Sequence, residues 1–430
     1  MAVRKPRKTW RHCIRYIIYL HSNLRWKLSN LQPKRSFTPA WFTIIMGTGS
    51  VSTLAGRFYF GRGSVALEVI CLAFFFLNLG MYIIFIVTTI IRYWLFPHLF
   101  SAMLFDPGEA LFIGAFPIGT ANLIDSALIM NQTYHFGGKG FMYSLWAFWW
   151  FDLGVSYLTA FEMIYVMMST RHHLISETTS LWVLPVIPLI AASATGGNIS
   201  QALVPLSTTL ALLTVTFSLA SFMIGMSLTL MMITLFLTRL LLRGPPPPRV
   251  VVAGFIIASP FGQGGVSLLA NGRALSILFP EYLTGTFPRI ELAGQIFYAL
   301  CMAGAFGLWS MGVCWILISV FTILSVRARE DIPFSLSYWG SVFPNGVFAA
   351  CTVQLGVVFN SPFFNYLGVI WSGVVFLLWT NAFIPTVYHT WDTSIFPEVT
   401  PIPIRPSEQA TKSTFDYPQS RNTQRQLATH

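Results

Sequence analysis

The chain has 430 residues, of which 54% are hydrophobic and 10% charged, with a formal net charge of +11. A soluble domain carries roughly 25% charged residues, so this chain cannot coat itself for water and the bilayer is its main solvent. The excess positive charge does not indicate a nucleic-acid partner. Ten of the 26 Lys and Arg lie between Arg4 and Arg35 with no acid among them, a terminal tail rather than a folded basic face.

Residues 1–36 read as a basic cytoplasmic tail lying beside anionic lipid. Within it, Trp10, Ile14, Ile17, Ile18 and Leu24 among basic residues suggest an amphipathic helix on the membrane surface. A transmembrane helix needs about 20 mostly apolar residues. Ten windows of residues 37–390 qualify: 38–56, 65–91, 110–130, 141–168, 182–204, 206–238, 249–270, 292–326, 335–357 and 363–387. Hairpin turns fall near 205 and 358–362, and Gly244-Pro245-Pro246-Pro247-Pro248 is a stiff linker. Residues 391–430 are polar and expected to be a disordered cytoplasmic tail.

With the N-terminus inside, 21 of the 26 Lys and Arg fall on the cytoplasmic side. Arg57, Arg62, Lys139, Arg273 and Arg289 remain outside, so the positive-inside rule places both termini in the cytoplasm. Asn131-Gln132-Thr133 is a glycosylation sequon in an outside loop, whereas Asn198-Ile199-Ser200 lies inside a span. His172-His173 sits in a short cytoplasmic loop and reads as solvated, since a metal pair needs further ligands. The five scattered cysteines show no zinc or disulfide spacing. No metal or other cofactor is expected.

A repeat underlies the spans. The odd-numbered ones carry proline with nearby glycines: Pro39 then Gly47-Thr48-Gly49; Phe116-Pro117-Ile118-Gly119; Pro185 and Pro188 then Gly196-Gly197-Asn198; Pro260-Phe261-Gly262-Gln263-Gly264; and Phe343-Pro344-Asn345-Gly346. Spans two, four, six and eight have no proline, and span ten has Pro385 near its end. Proline frees a carbonyl and bends a helix, which a bilayer tolerates only where the backbone is buried in protein or lines a wet cavity. The pattern predicts an all-α membrane protein of five helical hairpins, with five kinked inner helices around a central pore.

The inner spans hold no Lys or Arg beyond Arg249 and one acid, Asp125. The predicted lining comprises Thr48, Gly49, Pro117, Thr120, Asn122, Ser193, Thr195, Asn198, Pro260, Gln263, Pro344 and Asn345, with Thr43, Ser50, Ser259 and Thr352. Hydroxyls, amides and half-helix N-termini attract an anion weakly enough to let it leave. Intramembrane acids default to functional hypotheses. Asp125 reads equally as a proton site or a structural acid, while Asp152 and Glu162, on the outer fourth span, read as hydrogen-bonded acids joining hairpins.

Phe37-Thr38-Pro39-Ala40-Trp41-Phe42 with Met46-Gly47-Thr48-Gly49, then Phe116-Pro117-Ile118-Gly119, resemble the tellurite-resistance/dicarboxylate transporter family, which includes plant slow anion channels and fungal malate permeases. Ala191-Ala192-Ser193-Ala194-Thr195-Gly196-Gly197 and Tyr338 through Gly346 are most similar to the fungal sulfite efflux pumps. The resemblance covers residues 37–390. It implies a five-helix inner ring around a pore, often in a homotrimer, and a phenylalanine plug in the ninth span, which Phe343 matches by position. Phe116 and Phe261 become gate candidates through the internal repeat.

The expected activity is therefore export of a small inorganic anion, sulfite first, across the plasma membrane. The alternative is a malate or C4-dicarboxylate transporter, or an anion channel of the same fold; the dicarboxylate reading is weakened because the inner spans offer no fixed cation for a second carboxylate. An intramembrane hydrolase using Asp125 and Asp152 would lack every motif of its class, since no GxGD, HExxH or GxSxG occurs.

Overall fold

A computed structural model describes residues 37–61, 64–106, 108–170, 175–282 and 290–392. The basic tail, the amphipathic segment at 8–28, His172-His173 and the C-terminal tail from 393 lie outside the described residues. What is described is helical, with no strand. Ten long helices follow in order: α1 Phe42–Gly56, α2 Val65–Leu95, α3 Ala115–Tyr134, α4 Gly138–Thr170, α5 Ile187–Leu203, α6 Thr208–Arg243, α7 Ser259–Tyr282, α8 Ile290–Arg327, α9 Trp339–Val358 and α10 Pro362–Trp391. Short helices at Pro97–Leu104 and Pro248–Val251 lie between them. Among the described residues, eight helical segments are long and apolar enough to cross a membrane. The helices outside that set are α1, with 15 residues, and α5, with 17.

The odd and even helices differ in burial. The most apolar stretch is 78% buried around α3, 89% around α7 and 78% around α9, against 11% in α2 and 22% in α8 and α10. Nearly every residue of α1 and α5 is also buried. The exposed faces of the even helices are apolar, with Phe76, Trp94, Phe148, Leu158, Phe321 and Leu377 among the exposed side chains. Such a coat is stable only against hydrocarbon.

Helix contacts explain the alternation. α1 packs on α3, α3 on α5, α5 on α7, α7 on α9, and α9 back on α1, so the odd helices close a cycle. Each even helix packs on its own inner partner and on the next inner helix, with α10 covering the seam between α9 and α1. Glycine permits the closest approaches in the cycle: a Cβ on Gly262 would sit 2.7 Å from the backbone nitrogen of Phe348, and one on Gly346 would sit 2.6 Å from Ser50 Oγ.

The prolines do something other than kink the helices at mid-span. A 3-10 segment precedes each inner helix: Pro39–Trp41, Ala110–Gly114, Ser180–Val183, Val252–Ala258 and Leu336–Tyr338. Pro117, Pro188 and Pro260 lie within the first three residues of α3, α5 and α7, and Pro39 opens the 3-10 turn before α1. A first-turn proline lacks an N–H that would have no intrahelical partner anyway. These prolines therefore mark the passage from 3-10 to α-helix. Among the five motifs, Pro344 is the one inside its helix.

Candidate functional site

Successive residues of a helix point about 100° apart, so contacts to neighbours reveal which face looks toward the ring axis. On α9, Asn345 accepts from Trp371 of α10 at 3.2 Å and Thr352 from Trp309 of α8 at 2.9 Å, which marks the outward side. Gly346 meets Ser50 of α1 on one flank, and Cys351 meets Gly265 of α7 on the other. The remaining direction belongs to Phe343, Val347, Ala350 and Gln354, spaced four, three and four residues apart. Phe343 is 1% exposed. By this spacing its side chain is directed toward the interior of the cycle.

The same reasoning assigns the other helices. On α1, Thr48 accepts from Trp379 of α10 at 3.0 Å and Gly47 lies against Trp339 of α9. Met46, Ser50, Thr53 and Arg57 are left for the axis. On α3, Thr120 exchanges a 2.7 Å hydrogen bond with Tyr82 of α2 and thus looks outward, leaving Ile118, Asn122 and Asp125 inward. On α5, Gly196 lies under Trp149 of α4, and Ser193 bonds to Ser218 of α6 and Ser267 of α7. Ala191, Ala194 and Asn198 face inward. On α7, Gly264 meets Met226 and Leu308 on the outside and Gly262 lies against the α9 backbone, so Val266 and Leu269 remain for the axis.

Part of the predicted polar lining is thus spent on holding the two layers of helices together. Thr48, Thr120, Ser193 and Asn345 turn to outer helices, as does Thr352. Asn122 stays near the axis and donates to the Met46 carbonyl across the α1–α3 seam at 2.9 Å. Gly49 is the contact point for Asn122 and for Asn78 of α2. Thr195 and Asn198 both donate to Asp125, at 3.0 Å each. Gln263 is buried between Gly262 and Gly264. Pro117 and Pro260 open their helices, and Pro344 follows the Phe343 ring.

The three phenylalanines do not share a role. Phe116 packs edge-on to Phe42 and stacked on Tyr82, on the α2 side of α3. The Cβ of Phe261 lies toward Gly312 of α8. Phe343 points to the axis.

Two acids also depart from expectation. Asp152 is 1% exposed, yet among the described residues neither of its carboxyl oxygens has a hydrogen-bond partner. Glu162 is exposed on α4, where it lines a cavity of about 780 Å³ between α2 and α4. Neither is the hydrogen-bonded acid the sequence suggests. One axis residue lies outside the lining that the sequence predicts. Arg57, just past α1, lies 3.9 Å from Asp125. Its spacing from Met46, Ser50 and Thr53 was the available signal.

A closed ring of buried helices inside an apolar coat is the build of a membrane transporter or channel. Comparison with known proteins reaches the same class. The profile of the voltage-dependent anion channel family (SLAC1) matches residues 36–387, and the chain belongs to that family of anion transporters. The sulfite efflux pump SSU1 of Trichophyton rubrum is 29% identical over 363 residues, covering 84% of this chain and 92% of that protein. SSU1 of Candida albicans is 25% identical over 379 residues, 83% of this chain and 75% of the relative. The malic acid transport protein of Schizosaccharomyces pombe is 21% identical over 355 residues, 81% and 77% of the two chains.

Proposed function

We propose that the protein exports sulfite across the plasma membrane through the axis of its inner ring, with Phe343 as the gate. The observation that carries this reading is the inward direction of Phe343, buried within a closed cycle of five helices. A phenyl ring blocks a hydrated ion twice over: it fills the path and offers no hydrogen bonds in place of water. It can turn aside about two side-chain torsions. In this reading α1 and α5 also cross the membrane, each extended by its 3-10 segment, so that ten helices form five hairpins. Both termini are cytoplasmic and the Arg57 end of the ring faces outside. Assembly as a homotrimer follows from the family resemblance alone.

The sulfite assignment is supported by the similarity to the SSU1 pumps, which extends over most of both chains. The malic acid transport protein supports a dicarboxylate as the second reading. Arg57 is the one cation among the axis-facing residues named above, and a C4-dicarboxylate carries charge at both ends. Flux into vesicles containing the purified protein tests the choice. Sulfite should cross several-fold faster than malate; equal or faster malate flux overturns it.

A further inference from the structure

The outer mouth of the ring holds an ion pair that the polar lining does not explain. Asp125 is 7% exposed and accepts hydrogen bonds from Thr195 and Asn198 of α5. Its Oδ1 stands 3.9 Å from an Arg57 terminal nitrogen, on the opposite neighbouring helix. One carboxyl thus addresses three consecutive inner helices. The separation is too long for a hydrogen bond. The Arg57 guanidinium donates no hydrogen bond to a described residue, and its side chain is 24% exposed. It therefore presents free N–H donors at the mouth, in a fork that matches the oxygens of an oxyanion.

The geometry points to Arg57 as an anion-receiving group held in reserve by Asp125, so that a proton on Asp125 and an oxyanion on Arg57 arrive and leave together. When Asp125 is ionised, its charge competes with the anion for the guanidinium. When it takes a proton from the outer solution, that attraction disappears, and Thr195 and Asn198 retain an oxygen acceptor. Arg57 is then free for a small oxyanion such as sulfite or bisulfite. Loss of the proton back to the outer solution restores the pair and releases the anion. This rests on the export reading and adds to it the site where export and proton activity meet.

The groups around Asp125 bear on its titration. α1 contributes Arg57, α4 contributes the buried Asp152, and α5 contributes Thr195 and Asn198, neither of which titrates. His135 and Lys139 lie beyond, at the α3–α4 turn. Among these Arg57 is the cation in contact with Asp125, and it is the group whose freedom the proton changes.

The test is sulfite flux into vesicles, measured as outer sulfite concentration and outer pH are varied, for wild type, Asp125→Asn, Arg57→Gln and Arg57→Lys. In wild type the half-saturating sulfite concentration should fall as the outer pH falls. Asp125→Asn should hold it at the low-pH value throughout, roughly five- to tenfold below wild type at neutral pH, the size of a partly exposed charge pair. Arg57→Gln should raise it by a similar factor and flatten its pH dependence, and Arg57→Lys should recover part of the affinity. Thermal unfolding of each variant guards against a structural role, which would lower the transition temperature without moving half-saturation. If wild type moves no small anion, the export reading falls and this exchange with it. If wild type moves sulfite but Arg57→Gln and Asp125→Asn keep its half-saturation and pH profile, the exchange alone is overturned.

Discussion

Trp379 of α10 donates its indole N–H to Thr48 of α1 at 3.0 Å, although the two residues stand near opposite ends of the chain. The bond closes the outer layer over the last seam of the inner ring. Trp371 and Trp309 do the same for Asn345 and Thr352 of α9, and Tyr82 for Thr120 of α3. In hydrocarbon an unpaired hydroxyl or indole N–H finds no water, so these pairs orient helices as well as bind them.

Trp379→Phe keeps a ring against Phe383 and Phe74 but removes the donor to Thr48. It should destabilise the protein by about 1 kcal/mol while leaving the preference among anions unchanged. Thermal unfolding in detergent beside vesicle flux measures both. A changed anion preference would return Thr48 to the pore lining.

Phe343→Ala should raise anion flux per molecule, since the ring is the bulkiest group named on the axis. It should also lower stability by about 3–5 kcal/mol, the usual range for a buried Phe→Ala. Flux normalised to protein in the membrane separates the effects. A normalised flux at or below wild type identifies Phe343 as ordinary core. Phe116→Ala and Phe261→Ala, which face α2 and α8, should lose stability without that gain.

Arg92, buried at the end of α2, donates to the Phe37 carbonyl and lies 4.0 Å from Glu109, just before the segment leading into α3. Burial pushes the Glu109 carboxyl up, Arg92 opposes the rise, and Asp106 adds to it. A carboxyl raised above its unfolded value contributes stability below that value and loses it as pH rises through the folded one. Mild acid should therefore favour the fold here, by a small amount because the side chain is 40% exposed. Unfolding followed from mildly acidic to neutral pH should show a flatter profile for Glu109→Gln. An unchanged slope would remove Glu109 as its source.

Asn131 uses its amide nitrogen to close the turn between α3 and α4, donating to the carbonyls of Phe136 at 2.7 Å and Gly138 at 3.2 Å. Carrying a glycan there requires that turn to open. The adjacent Gln132 is exposed and gives a cleaner test of topology. A cysteine at Gln132 should react with an impermeant reagent on intact cells. Labelling only after permeabilisation would invert the orientation.

The membrane class and the division into proline-bearing and smooth helices were legible in the sequence. Each depends on local properties: hydropathy over one helix length, and the presence of residues that lack an N–H or a side chain. Proline with nearby glycines marked α1 and α5 as inner helices, and both are buried. The directions of individual side chains were another matter. Thr48, Thr120 and Asn345 have the composition of a polar lining, yet each turns outward because an indole or phenol on another helix meets it there. A helix can present a residue in any direction around its axis, and only the neighbours decide which direction holds a partner. Tertiary structure likewise separated Phe343 from Phe116 and Phe261, which share a motif and differ in the helix they face. It also brought Arg57 to Asp125, because a residue just past the end of α1 reaches another helix's carboxyl only once the ring has closed.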